Sequence, residues 1–266
     1  MAITTGDGYI ASSKQIIPYA KITALTTVAT TRYTFQGAIG NPAASLTTAA
    51  ATPGALFTSG TSGFPAITAF GTGASGYLSR VAFSNSVLTR LELWDKIYGV
   101  TIPVNALATI TITSPPSISG RLIGGTDYAS VRIFVEIVTT MSAANTTLQV
   151  TYTDQSGISR QATATAALNA FTAGRWVEVP LVAGSTGVQK IESVIVAGAT
   201  NTGTVNVILA RLLWTSRIGL VNGGDLHGLD KTGMPQIFQT SALVMTGISD
   251  ATSSGTTDCF FEVANL

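Results

Sequence analysis

His227 is the only histidine in the chain. Any mechanism that needs an imidazole base or a histidine metal ligand must therefore pass through it. It lies in GDLHGLD, between Asp225 and Asp230, and either aspartate could orient the ring as a base or help complete a small metal site. No nucleophile is tied to it, and Asx turns with glycine bends give the same spacing, so a polar loop is the expectation. Gly71, Gly73 and Gly76 in GTGASG match the dinucleotide fingerprint in form, with Asp95 at a tolerable spacing downstream. That fingerprint works only with a helix opening behind the glycines. YLSRVAFSNS alternates at a strand period instead, so a flexible glycine loop is expected. Glu92, Glu136, Glu178, Glu192 and Glu262 sit in strand-like segments. A glycosidase would need two of them across a cleft. Their alternation places them away from the core, which predicts solvated or interface positions. Trp94, Trp176 and Trp214 could stack sugars, but each is flanked by apolar residues at strand period, which predicts packing. The chain is thus expected to be no enzyme and to have no catalytic residue, no cofactor and no metal.

The elements that would position these residues are strands. In VRIFVEIV, Val131, Ile133, Val135 and Ile137 share one face, with Arg132, Phe134 and Glu136 on the other. TTLQVTYT aligns Leu148, Val150 and Tyr152, DQSG makes a turn, and SRQATATA returns as a hairpin. RWVEVPL, KIESVIVAG and TVNVILARLLW follow, separated by Gly-containing turns. This spacing predicts an antiparallel β-sandwich, jelly-roll-like, over residues 121–217. Residues 1–120 read as an N-terminal arm and β-region, with strands at YLSRVAF, VLTRLELWDKIYGV and ATITITS and a short helix in the first few residues, with Asp7, Lys14 and Gln15. Within them, residues 37–76 are rich in Gly, Ala, Ser, Thr and Pro. A solvated loop of that length is unusual in a compact domain, which predicts either a mobile segment or an extended arm laid on a neighbouring chain. Residues 218–266 read as a loop through Pro235 and then a C-terminal hairpin of SALVMTGIS and CFFEVANL. No repeat of fixed period appears.

Charge narrows the function classes. Only 10% of the 266 residues are charged, against roughly 25% in typical soluble domains. Hydrophobic residues make up an ordinary 45%, and mean hydropathy is +0.40. So little surface charge suits a protein covered by partners. The net charge is +1, and the nine arginines are scattered, which argues against nucleic acid as a partner. No run approaches the length of about 18 apolar residues that a membrane span needs. MAITTGDGYIASSKQ lacks the charged and apolar regions of a signal peptide, so cytoplasmic synthesis is expected. The sequon at Asn145 matters only in a secretory pathway. Cys259 is the single cysteine and reads as a small buried hydrophobe.

The opening MAITTGDGYIASSKQ, the later GNPAAS, and GFPAITAFGTGASGYLSRVAFSNSVLTRLELWDKIYGV resemble virion structural proteins of tailed bacteriophages. So does the middle module, with VEIVTT, TLQVTYTDQSG and GRWVEVPLVAGSTGVQKIESVIV. The likeness covers most of the chain at the level of pattern and carries over no functional residue. It implies a capsid decoration or minor capsid protein in a virion assembled in the bacterial cytoplasm. Such a protein would form a homo-oligomer, with a trimer as first choice, in contact with the major capsid protein. The alternative is a tail, neck or spike component that binds a host-surface glycan.

Overall fold

The computed structural model describes residues 6–265. The chain runs through α1 (Gly6–Ala11), β1 (Ser13–Lys21), β2 (Arg32–Thr34), β3 (Gly40–Asn41), β4 (Ala55–Leu56), β5 (Gly76–Asn85), β6 (Thr89–Pro103), β7 (Thr109–Thr111) and β8 (Val131–Thr139). It continues through β9 (Thr146–Asp154), β10 (Ser159–Gln161), β11 (Trp176–Val179), β12 (Val188–Gly198), β13 (Thr204–Ile218), β14 (Gly223–His227), α2 (Leu229–Thr232), β15 (Gln236–Ile237), β16 (Leu243–Ser249) and β17 (Thr257–Asn265). No helix among the described residues is long and apolar enough to cross a membrane.

The strands form three antiparallel sheets. The largest has the order β11-β8-β13-β6-β16-β2, with β4 also on β6. A second runs β10-β9-β12-β7, and a third runs β14-β5-β17-β1-β3, with β15 on β5. β6 and β13 are each 15 residues long and pair along their whole length. That length lets one sheet serve two cores. At one end, Val131, Ile133, Val135 and Ile137 of β8 are fully buried against Leu148, Val150 and Tyr152 of β9. This is the β-sandwich that the alternation predicts, and each of those aliphatic side chains contributes on the order of 1.5–3 kcal/mol. At the other end, Leu91, Leu93, Leu243 and Met245 pack on Ile17, Tyr19, Phe83 and Phe261 of the third sheet. β6 therefore belongs with the middle strands as well as with the N-terminal ones.

Three expectations are corrected. β16 and β17 do not form a C-terminal hairpin: β16 pairs with β6 and β2, whereas β17 pairs with β5 and β1. The connection between them crosses from one layer of the fold to the other, and the two strands send their apolar side chains into the same core from opposite sides. Residues 219–235 are not all loop, since β14 adds to β5 and α2 follows it. Residues 37–76 need no second chain for their order. They run as a strap over the large sheet of their own chain. Ser45 N donates to Gln36 O at 2.8 Å, Phe57 N to Ile97 O at 2.9 Å, and Thr101 N to Ala50 O at 2.9 Å. At the chain start, α1 includes Asp7, residues 1–5 lie outside the described residues, and Lys14 and Gln15 belong to β1.

Candidate functional site

The strap changes the meaning of the second face of the large sheet. Alternation puts Phe134 and Glu136 of β8, Trp94 and Lys96 of β6, and Asn206 and Ile208 of β13 on that face. It is not solvated. Phe57 and Phe64 of the strap close over it and build a third apolar cluster with Trp94, Phe134, Trp176 and Ile208. Glu136 was expected at a solvated or interface position and instead is 0% exposed within its own chain, beside Lys96 at 2%. Lys96 Nζ donates to both carboxylate oxygens, at 2.6 and 2.8 Å, and to Gln36 Oε1 at 3.1 Å. Trp176 Nε1 and Asn206 Nδ2 supply the carboxylate's remaining donors, at 3.0 and 2.8 Å. A buried carboxylate needs such a set of donors, because an unpaired charge in this environment costs several kcal/mol.

The other carboxylates are similarly engaged. Glu92 is buried and accepts from Arg32 Nε at 2.7 Å, Thr246 Oγ1 at 3.0 Å and Trp94 Nε1 at 3.2 Å. The more exposed Glu178 meets the same arginine at 3.4 Å. Glu262 accepts from Tyr9 and Ser79, both at 2.7 Å. Burial disfavours its charge, yet these donors and Arg80 hold its carboxyl below the usual range. Glu192 accepts from Thr153 and Ser159. Hydrogen bonding within the strands, not an open cleft, accounts for these acids.

His227 lies at the edge of the third sheet. Trp214 Nε1, which can only donate, points at its Nδ1 from 3.0 Å. In the neutral ring Nδ1 is therefore the acceptor and Nε2 carries the proton, facing Ser216 Oγ at 3.4 Å and Asp225 Oδ2 at 3.5 Å. The one lone pair a metal would take is occupied. Asp225 also meets Lys231 at 3.7 Å, and Asp230 is exposed in α2. Among the described residues no three metal-ligating side chains converge. Gly76 opens β5, so the glycine loop leads into a strand. Asp95, the acidic residue of that fingerprint, is buried and bonded to Arg121, Ser241 and Ala242. Trp94, Trp176 and Trp214 are 2–4% exposed and pack inside, so they form no sugar platform. Cys259 is fully buried, and burial pushes its thiol up to about 12.

An exposed apolar row that the alternation did not single out lies on the outer face of the third sheet. Cross-strand partners share a face, and the register aligns Leu226, Ala82, Phe260 and Pro18 across β14, β5, β17 and β1. Ile16 continues the patch along β1. Ile16 is 67% exposed, Leu226 52% and Phe260 46%. An open groove of about 420 Å³ lies alongside, lined by Ala20, Ile22, Ser84, Asn222 and Asp258 among others. The signal was present in IIPYA and CFFEV, where two adjacent large residues cannot both face one core.

The chain matches no protein-family model and no curated protein sequence. Among solved structures, it is similar to the infectious bursal disease virus VP2 subviral particle at 13% identity and a TM-score of 0.22, covering 96% of this chain and 79% of that one. The Gx strain of the same virus gives 14% identity, a TM-score of 0.20, and coverage of 96% and 80%. Similarity at that level establishes no shared architecture.

Proposed function

We propose that this chain is a non-enzymatic structural subunit of a virion, a decoration or minor capsid protein that stabilises the particle by self-association and by contact with the major capsid protein. The observation that carries this reading is the bare apolar row on the third sheet. One face of that sheet packs a core, and the other offers Ile16, Pro18, Phe260 and Leu226 to a partner. Such a patch on a monomer marks an interaction surface. The charge count supports it. Nine of the 14 basic and 13 acidic residues are buried, leaving eighteen for a surface of 10712 Å². The resemblance to tailed-phage virion proteins supplies the setting, and a trimer assembled in the host cytoplasm is the expected form.

The test has two parts. Light scattering of the isolated chain should give an oligomer, and Phe260→Asp with Ile16→Asp should give a folded monomer. Particles lacking the protein should release genome at lower temperature or after milder osmotic shock than complete ones. A stable wild-type monomer whose removal leaves particle stability unchanged would defeat the reading. A tail or spike protein that binds glycan is the alternative, and the burial of all three tryptophans takes away its stacking platform.

A further inference from the structure

We propose that Lys96 and Asn206 become joined by an intramolecular isopeptide bond, with Glu136 as the proton carrier. The inference is independent of the virion reading. Lys96 Nζ and Asn206 Nδ2 both lie 2.8 Å from the same atom, Oε2 of Glu136. Two hydrogen bonds that meet on one oxygen bring the amine and the amide to the same carboxylate, and Nδ2 also donates to Thr47 O at 3.0 Å. The amide is also prepared from its other side. Asn206 Oδ1 accepts from the backbone N–H of Ala49 at 2.8 Å and from Thr101 Oγ1 at 3.0 Å. Donors placed on a carbonyl oxygen stabilise the negative charge that develops there when a nucleophile adds to the carbon. Thr101 Oγ1 has a single hydrogen and a second acceptor, Ala49 O at 2.6 Å, so the Ala49 N–H is the steadier of the two donors.

Water is kept out. Asn206, like Glu136, is 0% exposed, and the rings of Phe57 and Trp176 lie 4.5 and 5.9 Å from Lys96 Nζ. Burial disfavours the ammonium form of Lys96, while Glu136 opposes that shift. Transfer of one proton from Nζ to Glu136 frees the lone pair. Nζ then adds to Cγ of Asn206, forming the Nζ–Cγ bond and moving charge onto Oδ1. Glu136 relays a second proton from Nζ to Nδ2, the Cγ–Nδ2 bond breaks, and ammonia leaves. The ammonia carries off the first proton as ammonium, and Glu136 returns to its carboxylate. Amine plus carboxamide gives a secondary amide plus ammonia, so no oxidant or co-reactant is needed. The step occurs once per chain and modifies the chain itself. The bond would tie β6 to β13 and close a loop over β7 to β12.

Intact-mass spectrometry of the purified full chain tests the proposal. The wild type should weigh one ammonia less than its sequence dictates, and a tryptic digest should yield the Lys96 peptide joined to the Asn206 peptide. Glu136→Gln should restore the full mass and separate the two peptides. A wild-type chain at full sequence mass would overturn the proposal, as would an ammonia loss that maps to another position. A linked Glu136→Gln chain would overturn the role of Glu136. The wild-type mass alone decides whether the bond exists, so a variant that fails to fold does not protect the idea.

Discussion

Asp95 sits in β6 between Leu93, which belongs to the second core, and Ile97, which belongs to the first. Arg121 binds it with two nitrogens, Ser241 and the Ala242 N–H complete its acceptors, and Arg211 stands 3.9 Å away. Asp95→Ala would leave two buried guanidinium groups without their counter-charge. Breaking a buried pair in this way costs about 3–5 kcal/mol, to be read from urea unfolding. Arg217 and Asp250 are paired at 3.3 Å but exposed, and Arg217→Ala should cost less than about 1 kcal/mol. Glu192 gives a pH prediction. The hydroxyls of Ser159 and Thr153, each at 2.6 Å, hold its carboxyl below the ordinary value of 4.5. A depressed carboxyl stabilises the fold above its unfolded pKa, and that stability is lost as pH falls through the folded one. Glu192→Gln should therefore lower stability at neutral pH, flatten the fall on the acid side of pH 4.5 and converge with the wild type at low pH, as measured by denaturation at a series of pH values.

Among the elements, the strap is the one whose behaviour can be tested separately. It approaches β6 closely because Gly99 carries no side chain. A Cβ there would lie 2.6 Å from the Phe57 ring and 3.2 Å from Ala49 Cβ. Gly54, at φ +82°, sits under the Tyr98 hydroxyl, which donates to Pro53 O at 2.6 Å. Gly99→Val should lift the strap and leave the strands below it paired. Limited proteolysis would then cut within residues 45–60, and hydrogen exchange would quicken at the amides of Phe57 and Thr101, which bond across strap and sheet. Unchanged exchange at both amides would refute this account. At its start the strap is held by Lys21, whose Nζ donates to Ala38 O and Pro42 O, and burial lowers its pKa to about 8.

For the whole molecule, the consequence of two cores on one long sheet is that neither half has the 15-residue strands to itself. Cys259 reports on this. It lies in β17 between β5 and β1, and its thiol is both inaccessible and held protonated. A thiol reagent at neutral pH should leave the native chain unlabelled for as long as the third sheet stays closed. The labelling rate should rise with denaturant in step with global unfolding measured by circular dichroism. Labelling at denaturant concentrations well below that transition would mean that the third sheet opens independently. The outer row of Ile16, Phe260 and Leu226 belongs to this scale too, because it is assembled from strands that are distant in sequence.

The local pattern of the chain dictates the strands. Alternation in β8, β9, β12 and β13 is a local property of the chain, and Val131 through Ile137 point inward because a period of two puts them on one face. It also determined that GTGASG leads into a strand and that Cys259 is buried. What covers the other face follows from long-range packing that no local pattern carries. Glu136 read as a solvated or interface position because a charge in an alternating strand is seldom in the core, and nothing local ties it to Lys96. Their pairing depends on strands 40 residues apart in the chain and on a strap whose small residues show no periodicity. Trp94, Phe134 and Trp176 on that same face were the local hint that it was covered. The fates of β16 and β17 were likewise beyond local pattern, since a turn-like sequence between two strands fits a hairpin and a crossover equally well. In the fold, Leu243 and Met245 on one strand and Phe261 and Val263 on the other enter the same core from opposite sheets.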